Sequence, residues 1–273
     1  MKIAFSKYHG CGNDFIIVNE AQFPISILSD LIPKICDRHT GVGADGFILV
    51  KTDPLEMIYY NQDGSRAPMC GNGIRCFSKY CMDQGIVHRN SFPVKTLAGI
   101  KVVRKREDSL FEVDMGKPDR EDLSLVHTRD KIWGLSYQTN ENEVFRLYTL
   151  FHSTVHTVVF VENLDCIDMQ RIGKQICEDR MFAQQTNVNF VQIVDRKHIR
   201  MQTYERGCGM TLACGTGACA AVSCAFDLGQ CENTVTVSLP KGELQIQIDG
   251  QDHVKMIGPA KCIAKGEYIY END

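Results

Sequence analysis

Two short strings in this 273-residue chain have the residue types and spacing to do chemistry. "MCGNGIRC" (69–76) and "ACGTGACA" (213–220) each hold a Cys-Gly-x-Gly element, at Cys70 and Cys214, and each opens an apolar stretch. The glycines let the backbone turn sharply into a helix and leave amide N–H groups exposed at its start. Those amides and the positive helix end favour an anion such as a carboxylate. A cysteine placed there becomes more acidic: a thiol near ~8.5 falls to roughly 3.5–7.5 in such surroundings. Each string thus sets a base beside a carboxylate holder, although one string alone reads equally well as a small core residue at a turn.

A pair of them has a sharper meaning. One thiol on each side of a carboxylate-bearing carbon suits stereoinversion, in which one base removes the α-proton and an acid on the opposite face returns another. The amides would stabilise the charge that builds on the carboxylate. The thiols would share one proton and titrate as a coupled unit.

The elements that position the pair read as one unit used twice. "YYNQDGSRAPMCGNG" overlies "TYERGCGMTLACGTG", matching Tyr60 with Tyr204, Cys70 with Cys214, Gly71 with Gly215 and Gly73 with Gly217. Asp83 and Gly85 fall on Asp227 and Gly229, and "GFILV" (46–50) overlies "NFVQI" (189–193) with one residue of slip. Phe15–Val18, Phe47–Val50 and Met57–Tyr60 read as strands between turns, as do Thr157–Val161, Phe190–Val194 and Ile199–Thr203. Ile74, Phe77 and Cys81 recur at helical spacing, while "ACAAVSCAFDLG" is small and apolar nearly all round, the mark of a buried helix. The expected fold is α+β, with two pseudo-symmetric domains from duplication. Each would be a mostly antiparallel sheet wrapped around a central helix, with the active site in the cleft between them. "VDMGKPDRED" (113–122) is the best boundary. It gives domains of 1–117, joined by a C-terminal segment from about 260 to 273, and 118–259.

Composition narrows the classes. With 44% apolar and 23% charged residues the chain can bury a core. A net charge of −4 argues against nucleic acid as a partner. No run suits a membrane helix and the N-terminus lacks a signal-like apolar core, so the expected setting is cytoplasmic. Thirteen cysteines without a CxxC, in a reduced compartment, do not read as a disulfide framework or a zinc module. Apart from Cys70 and Cys214 they read as small buried hydrophobes, with Cys11 and Cys208 the exceptions. Asp14 and Asp45, beside glycines, read as turn or capping residues. No lysine is marked for a pyridoxal group, and no cofactor or metal is expected.

The chain resembles the diaminopimelate epimerases among the cofactor-independent amino-acid racemases and epimerases. The likeness rests on "GCGNDFIIV" (10–18), "DRHTGVGADG" (37–46), "YNQDGSRAPMCGNGIRC" (60–76), "NVNFVQ" (187–192), "YERGCGMTLACGTGACA" (204–220) and "MIGPA" (256–260). It implies epimerisation of LL-2,6-diaminopimelate to the meso isomer, for lysine and peptidoglycan precursors, with Cys70 and Cys214 as the acid/base thiols. The amides at Gly71-Asn72 and Gly215-Thr216 would hold the reacting carboxylate. Asn13, Asn61, Asn187, Glu205 and Arg206 would line the pocket, and His156 would support one thiol. A homodimer is also implied by resemblance.

Four positions depart from the family pattern. Thr154 and Val155 stand where an Asn-Pro is usual, Gly46 where many relatives carry a larger side chain, and Met210 where a Glu is common. These losses are expected to loosen discrimination at the distal end of the substrate. They leave open the alternative of a broader amino-acid racemase acting on, for example, glutamate.

Overall fold

The computed structural model describes residues 1–22, 25–128 and 130–271. The chain divides into two compact units, Met1–Val113 with Gly258–Asp273, and Asp114–Ile257. In the first unit the strands are β1 (Lys2–Gly10), β2 (Asn13–Asn19), β3 (Gly46–Thr52), β4 (Leu55–Asn61), β5 (Arg66–Ala67), β6 (Ser91–Thr96), β7 (Gly99–Lys105) and β8 (Phe111–Gly116). Its helices are α1 (Leu28–Cys36) and α2 (Gly71–Asp83). The second unit holds β9 (Trp133–Gln138), β10 (Val144–Phe151), β11 (Val155–Phe160), β12 (Asn187–Asp195), β13 (His198–Glu205), β14 (Gly209–Thr211), β15 (Thr234–Leu239), β16 (Gly242–Ile248) and β17 (Val254–Gly258). Its helices are α3 (Met169–Cys177) and α4 (Gly215–Asp227), and the last strand, β18 (Lys261–Ile269), belongs to the first unit.

Both units pair their strands in the same order and sense. The first runs β18-β1-β2-β3-β4-β6-β7-β8, with β2/β3 and β4/β6 parallel and the other neighbours antiparallel. The second runs β9-β10-β11-β12-β13-β15-β16-β17, with β11/β12 and β13/β15 parallel. The short strands β5 and β14 flank β4 and β13. A helix fills each parallel crossover, as parallel strands require. Each unit is therefore a mostly antiparallel α+β sheet carrying a second, central helix.

Burial on both faces explains the unbroken apolar runs of the inner strands. In the first unit Leu31, Ile32 and Ile35 of α1 pack on Ile16, Val18, Phe47 and Leu49. Ile48, which alternation places on the opposite face, lies under the start of α2. The second unit repeats this. Ile172 and Ile176 of α3 pack with Val159, Val188 and Phe190, while Asn189 lies under α4. α4 is buried from Gly215 to Ala225 apart from Thr216, as its small apolar sequence requires. Both central helices end on a left-handed glycine, Gly85 (φ 68°) and Gly229 (φ 69°).

One sequence overlay is corrected. Gly46 pairs with Phe15 across the parallel strands, and Asn187 holds the same place opposite His156. Residues 46–50 thus correspond to 187–191, two residues earlier than the string overlay gives. The stretch from Asn187 to Glu205 is three residues longer than that from Gly46 to Asn61, with a register shift between Ile193 and Asp195. A string match cannot see a bulge.

Candidate active site

Cys70 and Cys214 hold the same structural position, the N-cap of a 13-residue central helix. Both have extended backbone, and each Sγ accepts from the N–H of the third helical residue, Gly73 or Gly217, at 3.4 Å. Sulfur here takes the place of the usual cap oxygen. The amides at Gly71-Asn72 and Gly215-Thr216 are first-turn donors with no acceptor inside their own helix. Each helix start thus gathers a thiol, outward-facing N–H groups and the positive helix end, which together suit a carboxylate and a proton transfer.

Around Cys70 the support is an amide relay with ionic ends. Asn13, first residue of β2, donates Nδ2–H to Asp45 Oδ2 at 2.7 Å, and its Oδ1 accepts from Asn72 Nδ2 at 3.1 Å. The Cys70 thiol reaches the same Oδ1 at 3.8 Å. Asn72 Oδ1 accepts from Arg75 Nη2 at 2.9 Å, and Arg75 also donates to the carbonyls of Gly71 (3.1 Å) and Pro259 (3.3 Å). A guanidinium only donates and a carboxylate only accepts, so the polarity of both amides is fixed from the two ends. Arg75 is fully buried. The relay also accounts for "MIGPA", whose proline carbonyl is one of the acceptors that make burying Arg75 tolerable.

Asp14 and Asp45 are not the turn or capping residues the sequence suggests. Arg38 bridges them at 2.8 and 2.7 Å, and Lys7 lies 3.0 Å from Asp14. Burial alone would raise the Asp14 carboxyl, but the hydrogen bonds from Arg38 and Lys7, with the Lys7 charge, hold it below 3.8.

Around Cys214 the support is different. Thr216 Oγ1 lies 3.5 Å from the Sγ. Beneath the helix start, Asn189 Nδ2 lies 3.2 Å from His156 Nδ1 and 3.3 Å from the Thr157 carbonyl, while Asn189 Oδ1 accepts from Thr203 Oγ1 at 3.1 Å. His156 and Asn189 are both fully buried. Burial pushes the His156 imidazole down to about 3, with the charges of His152 and Arg206 acting in the same direction. Gly217 makes the packing possible: a Cβ there would lie 2.2 Å from Asn189 Oδ1.

The other residues singled out from sequence lie at or beside strand ends, each with its own local partner. Asn61 closes its own turn, donating to Ser65 Oγ at 2.9 Å. Asn187, buried, accepts the Arg206 N–H at 3.0 Å, and the exposed Arg206 donates Nη1–H to Gln184 O at 2.9 Å. Glu205 accepts from Thr211 Oγ1 at 2.7 Å. Thr154 is half-buried, and its carbonyl accepts from His152 N–H at 2.9 Å. Sequence reasoning missed Arg75, Asp45 and Asn189. All three lie inside quoted strings, but only the packing shows what they touch.

Comparison with known proteins decides the family. The diaminopimelate epimerase family model matches residues 5–121 and 148–263. A diaminopimelate epimerase from Alkaliphilus metalliredigens is 38% identical over 98% of each chain. Another, from Desulfitobacterium hafniense, is 40% identical over 95% of this chain and 96% of its own. The chain belongs to the diaminopimelate epimerase family. It is an isomerase of that family, and the broader racemase alternative is not favoured by these relatives. Two solved structures share the fold. A Bacillus anthracis PhzF-family phenazine biosynthesis protein has a TM-score of 0.74 at 14% identity, covering 99% of this chain and 100% of that one. A hydroxyproline epimerase from Agrobacterium vitis has a TM-score of 0.70 at 12% identity, covering 97% and 90%.

Within the family pattern, two departures do not open space as expected. A Cβ at Gly46 would meet the Tyr59 ring at 2.7 Å, so that ring already fills the place of a larger residue. Met210 packs on the apolar cluster around Tyr204 and Ile172. The remaining cysteines divide by position. Cys11 is buried, while Cys166, Cys208 and Cys262 are exposed, so Cys166 and Cys262 are not the buried hydrophobes the sequence suggests. Cys262 lies on β18, whose residues are exposed almost throughout. Burial pushes Cys36 up to about 12 and Cys231 up to about 11, which keeps them as inert thiols. Among the described residues no group of three or more His, Cys, Asp or Glu is placed to hold a metal ion, and no helix is long and apolar enough to cross a membrane.

Proposed function

We propose that the chain converts LL-diaminopimelate to meso-diaminopimelate by two-base proton transfer, with Cys70 and Cys214 as the acid/base pair. The observation that carries this reading is the repeated cysteine N-cap, with one geometry in both units. One thiolate takes the α-proton, and the electron pair left on carbon delocalises into the adjacent carboxylate. Helix-start amides at Gly71-Asn72 and Gly215-Thr216 stabilise that charge. The other thiol delivers its proton to the opposite face, so turnover exchanges the roles of the two sulfurs. Asn13, Asn61, Asn187, Glu205 and Arg206 bind the polar groups of the substrate, Arg206 gripping the distal carboxylate. His156 supports one of the thiols.

The mechanism calls on no cofactor. The protein works in the cytoplasm, where its thiols stay reduced, and assembles as a homodimer, which sedimentation at micromolar concentration tests. The reading itself is tested by incubating reduced protein with LL-diaminopimelate and no added cofactor. Appearance of the meso isomer, lost in Cys70→Ala and in Cys214→Ala, is the expected result; a variant that still epimerises overturns the paired-thiol reading.

A further inference from the structure

The polar pair beneath Cys214 fixes the state of its own histidine. The Thr157 carbonyl can only accept, so the Asn189 atom 3.3 Å from it is the amide nitrogen, and Thr203 Oγ1 donates to the amide oxygen at the other end. The second hydrogen on Asn189 Nδ2 meets His156 Nδ1 at 3.2 Å, which makes Nδ1 an acceptor. A neutral imidazole that accepts at Nδ1 carries its proton on Nε2. His156 Nε2 is buried and makes no hydrogen bond among the described residues. A buried donor left with no partner is costly, so a site that keeps one holds it for a group that arrives.

We propose that Asn189 is a positioning residue that holds His156 as the neutral Nε2–H tautomer, so that His156 serves the site as a hydrogen-bond donor and not as a base. The group it fits is an anionic acceptor, a thiolate sulfur or a carboxylate oxygen of the substrate. This deepens the proposed function and rests on its placing of His156 in the site. Burial of the ring and the Arg206 charge reinforce the assignment, because both disfavour an imidazolium. Asn189 is held in turn by Gly217, whose missing side chain gives it room. The second glycine of the motif thus sets the histidine as well as the helix turn. At the matching places in the first unit stand Phe15 and Ile48, so the device belongs to the Cys214 side alone.

The test is nitrogen NMR of imidazole-labelled protein at pH 7, with the His156 signals among the eight histidines assigned by their loss in His156→Gln. The expected spectrum has a protonated Nε2 and an unprotonated Nδ1. A native His156 protonated at Nδ1, or at both nitrogens, overturns the proposal. The near-isosteric Asn189→Asp places an acceptor at Nδ1. The proton is expected to move there, and kcat to fall on the order of 10²-fold or more, since a wrong tautomer is that costly at other histidine sites. KM is expected to stay within about threefold, because Asn189 acts through His156 and not on substrate. An Asn189→Asp spectrum identical to the native one also overturns it. The spectrum needs no turnover: the expected tautomer in a protein that fails to epimerise upholds this inference and removes the proposed function instead.

Discussion

The two helix starts share a backbone and differ in everything packed beneath it. Cys70 and Cys214 cap their helices at the same 3.4 Å, on strands paired in the same order. Yet where the first unit has Phe15, Ile48 and Arg75, the second has His156, Asn189 and Cys219. Each position that is apolar in one unit is polar in the other. The Cys70 side is wired sideways, through Asn13 and Asn72, to a buried guanidinium and to carboxylates that reach the surface. The Cys214 side is wired downwards, to a neutral imidazole sealed from water. Duplication has kept the geometry of the cap and exchanged its electrostatic support. On the proposed function, the two faces of the reaction would need the same reach but not the same surroundings.

The most forceful way to break the comparison is to remove each sulfur in turn. Cys70→Ala and Cys214→Ala are each expected to lower epimerisation by about 10²–10⁴-fold in either direction, the range for a lost acid or base. A large loss in one variant and a mild one in the other would show that the caps are alike in form only.

A second test uses the glycines. Gly217→Ala drives a Cβ to 2.2 Å from Asn189 and is expected to destabilise the protein by about 1–3 kcal/mol, read by urea unfolding. Gly73→Ala meets nothing nearer than the Cys70 Cβ at 3.2 Å and is expected to stay within about 1 kcal/mol, helped by the better helix propensity of alanine. Equal losses would mean that Asn189 does not need the space.

Acid should separate the units. His156 is held near 3 when folded and takes a proton near 6.5 when unfolded. Between those values the unfolded state binds the extra proton, so stability is complete above about 6.5 and falls as pH drops toward 3. The limiting slope is about 1.4 kcal/mol per pH unit. The depressed Asp14 carboxyl acts the same way but only below 3.8. Hydrogen exchange at pH 5 is therefore expected to loosen the second unit before the first, and His156→Gln to remove the difference. Exchange that rises equally in both units would contradict it.

The mildest effect is expected from Asp45→Asn. It frees one end of the amide relay and lets the Asn13 amide turn over, lowering kcat/KM by about tenfold. An unchanged rate would show that Asn72 and Arg75 fix the relay without it.

Much of the fold was legible because it rests on periodicity and repetition. Unbroken apolar strings such as "FIIV" marked strands buried on both faces, and the small-residue run after Cys214 marked a helix buried nearly all round. The overlay of 46–50 slipped because a hairpin three residues longer leaves no mark in identity. The cysteines stood out by their repeated glycines. Of their supports, Asn13 and His156 came with the family resemblance, but Asn189 and Arg75 did not, because those two matter through what packs against them, and a side chain's neighbours across strands are set by register. Gly46 shows the same limit. The sequence records a missing side chain, whereas the structure shows the Tyr59 ring in its place.

The central claim is that the two caps act as a pair on one carbon. It is tested most directly by the fate of the α-hydrogen when LL-diaminopimelate turns over in deuterated water. At low conversion, two monoprotic thiols on opposite faces predict a meso product carrying deuterium at the inverted carbon, while the recovered LL substrate keeps its hydrogen. Deuterium arriving equally in substrate and product, or hydrogen retained through inversion, would mean that a single base serves both faces and would contradict the account.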